Sequence, residues 1–76
     1  MEYRIKKIVP GCFVERKVIG GGAEEFRVLA LTGTDAIVVD YYQNVTIAPI
    51  SALTLKYATV GDEVFNRSGK FIRKLA

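Results

Sequence analysis

Apolar and polar residues alternate along most of this chain in short runs, and glycine or proline residues separate the runs. Alternation with a period of two is the pattern of a half-buried β-strand. Residues 12–18 show it clearly, because Cys12 and Val14 share one face while Phe13 and Glu15 share the other. Repeated along the chain, short runs of this kind predict an all-β domain.

One segment, AEEFRVLAL at residues 23–31, contains good helix formers, so helix and strand compete there. Nine residues are short for an independent helix. The segment also runs directly into the turn sequence of residues 32–35, and Phe26, Val28 and Ala30 share a face at a period of two. These observations favour a strand.

The middle of the chain predicts a hairpin followed by a corner. Residues 37–39 are apolar on both faces, so residues 36–42 are predicted to form a central strand, which Asp40 interrupts. Gln43 and Asn44 are expected to form a two-residue hairpin tip, and residues 45–48 to return as a short strand. Because proline has no N–H to donate to a ladder, residues 49–53 are expected to form a single 3-10 turn.

Turn sequences also divide both ends of the chain. Residues 3–8 begin with the alternation of a strand. Three consecutive glycines at residues 20–22 predict a flexible hairpin tip. The sequence of residues 66–69 predicts a turn, and residues 70–75 fit either a last strand or a helical turn.

The resulting order of strands, tight hairpins and a proline-containing corner resembles the SH3-like small barrel. The sequence VTIAPISAL at residues 45–53 is also similar to the strand-and-corner segment of plasmid-borne type II dihydrofolate reductases, which are SH3-like barrels that assemble as tetramers. In that family the strand carries a Gln and a Tyr that line the active pore, whereas this chain has Thr46 and Ala48 there. The resemblance implies a barrel of five to seven short antiparallel strands and an oligomer, and no reductase activity.

A length of 76 residues indicates one domain, spanning residues 1–76. A chain this short buries only about 60% of the surface that its unfolded form exposes. Half of the residues are apolar, so a core is feasible but small. Oligomers commonly supplement a core of this size, and we therefore expect self-association.

Charge is unevenly distributed around a net value of +3. Residues 66–76 contain four cations and no acid, and residues 1–17 are also basic, whereas residues 18–65 carry six acids and two cations. The two ends could form one basic face. Alternatively, lysine and arginine simply keep edge strands soluble.

The residue types present argue against several kinds of chemistry. Histidine is absent, which removes the commonest general base and a common zinc ligand. The neighbouring acids Glu24 and Glu25 point to opposite faces of a strand and do not make an acid–base dyad. Because Cys12 is the only cysteine, we expect it to be buried and inert and the chain to reside in a reducing compartment, the cytoplasm. We expect no catalytic residue, metal, cofactor or membrane association.

Binding is the function that the sequence favours. A first hypothesis is a non-enzymatic assembly module that self-associates and contacts a protein partner. A second is a barrel that binds nucleic acid through its basic termini and exposed tyrosines, and a third is an oligomeric enzyme with a site at a symmetry axis. Two adjacent tyrosines on a strand cannot both face the core, so one of them is expected to be exposed. The candidate binding residues are Tyr3, Arg4, Tyr41, Tyr42, Lys70 and Arg73.

Overall fold

The computed structural model describes residues 7–75, which form seven strands and one 3-10 turn with no α-helix among them. The strands are β1 (Phe13–Lys17), β2 (Ala23–Thr32), β3 (Asp35–Val39), β4 (Val45–Pro49), β5 (Thr54–Val60), β6 (Glu63–Asn66) and β7 (Phe71–Lys74), and the 3-10 turn spans Ile50–Ala52. All neighbouring pairs are antiparallel in one sheet of order β4-β3-β2-β1-β5-β6-β7. The all-β prediction is confirmed.

One face of this sheet holds the core. Val14 and Val38 are fully buried, and Phe26 is 3% exposed. Fully burying a side chain of this size contributes about 1.5–3 kcal/mol, so the shared face is a main source of stability. The cluster comprises Cys12, Val14, Phe26, Val28, Ala36, Val38, Ala48, Leu53 and Leu55, with Ile8 and Ile50 packed against it.

Strand β2 carries a β-bulge that changes the face of its second half. Val28 pairs with Val38 and Ala30 pairs with Ile37, so Leu29 is the extra residue. Neighbours on β3 point to opposite faces, and the bulge therefore places Ala30 on the face opposite Val28. The prediction that these two residues share a face is wrong, because period two holds only where the ladder is regular.

The hairpin between β3 and β4 differs from the predicted one. Strand β3 ends at Val39, and residues 40–44 form the turn. The Asp40 carboxylate accepts the backbone N–H of Tyr42 at 2.8 Å and that of Asn44 at 2.9 Å. These bonds end the ladder early, so the predicted strand to Tyr42 and the two-residue tip at Gln43 and Asn44 are wrong.

The β6–β7 hairpin has the same construction. The Asn66 side-chain oxygen accepts the N–H groups of Ser68 and Lys70, at 3.0 and 2.9 Å. The fourth turn residue has a left-handed conformation in both hairpins, with φ of +69° at Gln43 and +88° at Gly69. Each hairpin has a three-residue loop, residues 41–43 and 67–69, whose last residue is left-handed.

The remaining predictions at the chain ends have mixed outcomes. Residues 20–22 do form the tip of the β1–β2 hairpin, and residues 71–74 are a strand, which decides between the two alternatives there. The predicted 3-10 turn after β4 is confirmed, but it spans Ile50–Ala52 instead of residues 49–53, and Pro49 is the last residue of the strand. The strand predicted over residues 3–8 lies mostly outside the described residues, and Lys7 and Ile8 are not in a strand.

Candidate binding groove

The side chain of Phe13 is close to two arginines. Because Val14 faces the core, Phe13 projects from the opposite face of β1, where the register places it beside Arg27 of β2. The Arg27 guanidinium carbon lies 5.4 Å from the centre of the Phe13 ring, and that of Arg73 lies 5.7 Å from it. Tyr57 meets the same ring edge-on at 6.5 Å. Cations at such distances are attracted by the π-electrons of the ring.

An open groove of about 700 Å³ runs past this ring. Apolar side chains and two arginines contribute to its walls, and the β3–β4 turn forms one end. Leu29 follows the buried Val28 on β2 and therefore points to the opposite face, toward the groove. The lining residues are Phe13, Glu25, Phe26, Arg27, Leu29, Val39, Asp40, Tyr41, Gln43 and Arg73.

Tyr41 and Tyr42 occupy the tip of the β3–β4 turn, and both are exposed, at 88% and 81%. Their rings meet edge-on with centres 5.6 Å apart. Asp40 holds this turn through its carboxylate, and the hydrogen bond from the Asn44 backbone N–H is the main reason that the pKa of Asp40 is lowered. The prediction of one exposed tyrosine is corrected to two, because neither residue is on a strand.

The carboxylates of the groove are engaged by other groups. Glu25 pairs with Lys56 at 3.0 Å, and this contact raises the pKa of Lys56. Asp40 accepts hydrogen bonds from its own turn. Arg27 donates from Nε to the Gly11 carbonyl oxygen at 3.2 Å, which leaves its terminal nitrogens for other contacts. The groove therefore presents guanidinium groups rather than carboxylates to a ligand.

Two of the sequence-predicted binding residues, Tyr41 and Arg73, line the groove together. Tyr42 packs against Tyr41 without lining it, and Lys70 lies in the β6–β7 turn, away from the lining residues. The other two candidates, Tyr3 and Arg4, lie outside the described residues.

Sequence reasoning missed the residues at the centre of the groove. Phe13 and Arg27 are brought together by the β1–β2 register, and Leu29 shares the face of Arg27 because it lies two residues further along β2. The sequence offered one indication of this site: Phe13 and Arg27 lie on the more polar faces of two consecutive predicted strands. Glu24 and Glu25 bond to different partners, Arg16 and Lys56.

Comparisons with known protein families, curated proteins and solved structures found no match. Within residues 7–75, no group of three or more cysteine, aspartate or glutamate side chains is arranged to hold a metal ion. No helix in this part of the chain has the length and apolar character needed to cross a membrane.

Proposed function

We propose that this chain is a non-enzymatic binding module that contacts a protein partner through the groove around Phe13. The observation that carries the proposal is the pair of guanidinium groups, Arg27 and Arg73, that both lie within 6 Å of the centre of the Phe13 ring, at 5.4 and 5.7 Å. Beside them lie an exposed aromatic, Tyr41, and an exposed aliphatic, Leu29. Aromatic and arginine side chains together are enriched at protein interfaces.

The chemistry of the groove indicates an extended segment with alternating acidic and apolar side chains. Arginines 27 and 73 would pair with carboxylates through charge-assisted hydrogen bonds. Leu29, Val39 and Tyr41 would contact the apolar side chains between them. An extended segment presents successive side chains in opposite directions and thus serves both kinds of contact.

The fold that we propose for the whole domain is an SH3-like barrel. Its support is the single 3-10 turn between β4 and β5, together with the irregularities in β2 and against β5 that increase local twist. A fold of this kind hosts many functions. The assignment of function therefore depends on the groove and not on the barrel.

A peptide that alternates aspartate with leucine is the probe for the groove, and its lysine–leucine counterpart is the control ligand. Two-dimensional NMR should show amide shifts at Leu29, Val39 and Tyr41 with the acidic peptide only. Arg73→Glu should weaken binding about tenfold, as expected for the loss of a charge-assisted hydrogen bond.

The matched control variant for this experiment is Arg67→Glu. It makes the same charge change in the β6–β7 turn, at another exposed residue that does not line the groove. Affinity should then stay within a factor of two. Equal loss in the two variants would show that only net charge matters, and equal binding of both peptides would rule out the groove as an acidic-segment site.

A second candidate function is binding of single-stranded nucleic acid. The exposed ring pair of Tyr41 and Tyr42 favours it, because bases stack on such side chains. Oligothymidine added to the same NMR sample tests this function. Shifts centred on the two tyrosines, with an affinity that falls steeply as salt rises, would replace the protein partner by nucleic acid.

A further inference from the structure

Within residues 7–75, strands β4 and β7 form the two edges of the sheet, and these edges differ in charge. Strand β7, at one edge, ends in Arg73 and Lys74. Strand β4, at the other edge, has the sequence VTIAP and contains no charged residue. Proteins commonly protect an edge strand with charged side chains, especially lysine. By that criterion β7 is protected and β4 is open.

The backbone groups on the free side of β4 can be assigned from its hydrogen bonds to β3. Asp40 donates to the Asn44 carbonyl at one end of the ladder, and Ile50 donates to the Thr34 carbonyl at the other. Hydrogen-bonded pairs alternate with non-bonded pairs along an antiparallel ladder. Counting from either of these two end bonds gives the same result. The backbone N–H and C=O groups of Thr46 point toward β3, whereas those of Val45 and Ile47 point away from the sheet.

The exposed side chains of β4 continue an apolar surface. Val45 is 61% exposed and Ile47 is 65% exposed. They lie opposite Val39 and Ile37 in the ladder and therefore share a face with them. This face is the one opposite the buried Ala36 and Val38 of β3.

We infer that β4 joins a second copy of this chain by antiparallel pairing about a two-fold axis at Thr46. Val45 of each copy then lies opposite Ile47 of the other, and each such pair exchanges two N–H···O bonds. Thr46 meets its own counterpart, and cross-strand threonine pairs are favourable. The strand is thus complementary to itself in both backbone and side chains.

Charge selects this edge for a second copy. Each chain has a net charge of +3, so two copies repel each other unless they meet where cations are absent. Pairing through β7 would bring Arg73 and Lys74 of both copies together. Pairing through β4 brings no charged side chain of the strand to the interface and places two apolar patches side by side.

Light scattering and sedimentation, measured over a range of protein concentrations, test the inference directly. The wild-type chain should reach twice its mass of 8.4 kDa. Ile47→Lys and Val45→Glu should each remain monomeric, because each places a charge opposite an apolar residue. Val60→Lys is the matched control, since Val60 has the same 65% exposure and lies in β5, and it should still dimerise.

Mixing the Ile47→Lys and Val45→Glu variants tests the register. In the mixed pair the new lysine faces the new glutamate, and the other cross-strand pair is native, so a heterodimer should form from two monomeric variants. A wild-type chain that stays monomeric, a dimer that survives Ile47→Lys, or a mixture that stays monomeric would each overturn the inference.

The inference does not depend on the proposed groove. Neither Val45 nor Ile47 lines it, so Ile47→Lys should bind the acidic peptide as the wild type does. Loss of dimerisation with intact peptide binding would therefore support the β4 edge alone. Loss of peptide binding in Arg73→Glu with an intact dimer would support the groove alone.

Discussion

Arg73 lies with its guanidinium carbon 5.7 Å from the centre of the Phe13 ring, although the two residues come from opposite ends of the described chain. The contact links β7 to β1, two strands that are not neighbours in the sheet. Since Arg27 lies at 5.4 Å from the same ring, Phe13 is the common partner of two cations.

A double-mutant cycle measures this contact. Phe13→Leu keeps an apolar side chain and Arg73→Gln keeps a polar one. Phe13→Leu also removes the contacts with Arg27 and Tyr57, and the cycle cancels these losses because they occur in both variants that carry this substitution. Urea unfolding should give a coupling free energy of about 0.5–1 kcal/mol between the two sites. Additive effects would mean that the two side chains do not interact in solution.

Val38 and Val45 lie in neighbouring strands but differ completely in burial, with exposures of 0% and 61%. Val38→Thr places a hydroxyl among apolar side chains and should lower the free energy of unfolding by about 1–3 kcal/mol. Val45→Thr should change it by less than about 0.5 kcal/mol, as surface substitutions do. Chemical denaturation of both variants is the measurement, and similar losses would contradict the assignment of the core face.

Gln43 has a left-handed backbone, which is unfavourable for a residue with a Cβ atom. Gln43→Gly should remove that cost, offset in part by the larger entropy of glycine in the unfolded chain, and raise the free energy of unfolding by about 0.5–1 kcal/mol. Gly69 occupies the same position in the β6–β7 turn. Gly69→Gln should lower the free energy of unfolding by a similar amount, and changes of the same sign in the two variants would refute the equivalence of the turns.

Acid should destabilise the β3–β4 turn, which depends on the Asp40 carboxylate, and should leave the β6–β7 turn, which depends on Asn66, unchanged. The pKa of Asp40 is lowered from 3.8, chiefly by the hydrogen bond from the Asn44 backbone. The ionised carboxylate therefore stabilises the fold above pH 3.8, and that contribution is lost as the pH falls through the lower pKa of the folded state. Amide exchange at Tyr42 and Asn44 should speed up with acid, after correction for the intrinsic pH dependence.

Asn66 provides an internal control for that experiment, because its side chain is neutral and makes the corresponding bonds to Ser68 and Lys70. Corrected exchange at Ser68 and Lys70 should not change over the same pH range. Asp40→Asn should abolish the response at Asn44. A response that persists in this variant would assign the titration to another group.

Cys12 should react with thiol reagents only when the domain opens. Its side chain is fully buried, and burial raises the pKa of the thiol, so little reactive thiolate is present. The reaction rate with a coloured disulfide reagent should rise in parallel with unfolding in urea. A rapid reaction in buffer alone would contradict the packing described for residue 12.

The sequence located strands β1, β2 and β4 because period-two patterning and proline are local signals. Phe26 and Val28 marked a buried face within one segment, and Pro49 marked the position where a ladder must end. Both inferences needed no knowledge of distant residues.

The turn at Asp40 was missed for a different reason. The corresponding turn at Asn66 has glycine in its fourth position, which is a recognisable signal, whereas the β3–β4 turn has Gln43 there. The turn depends instead on hydrogen bonds from a carboxylate to backbone N–H groups. Those bonds compete with continuation of the strand, and the pattern of apolar residues does not show that the strand ends at Val39.

The centre of the groove was also beyond local patterns. Phe13 meets Arg27 because of the β1–β2 register, and it meets Arg73 because the sheet curves until β7 lies near β1. Register and curvature follow from the packing of the whole domain. Tyr41 and Arg73 were predicted from residue type alone, without their shared groove.

The strand order also has a consequence for how the chain folds. Five of the six ladders among residues 7–75 join strands that are adjacent in sequence, and the sixth, β1–β5, joins distant ones, with Glu15 opposite Thr54. Loop-closure entropy opposes that ladder more than any other. The chain thus consists of two successive meanders, β1–β4 and β5–β7. The slowest step in folding is expected to be formation of the β1–β5 ladder, which joins the two meanders.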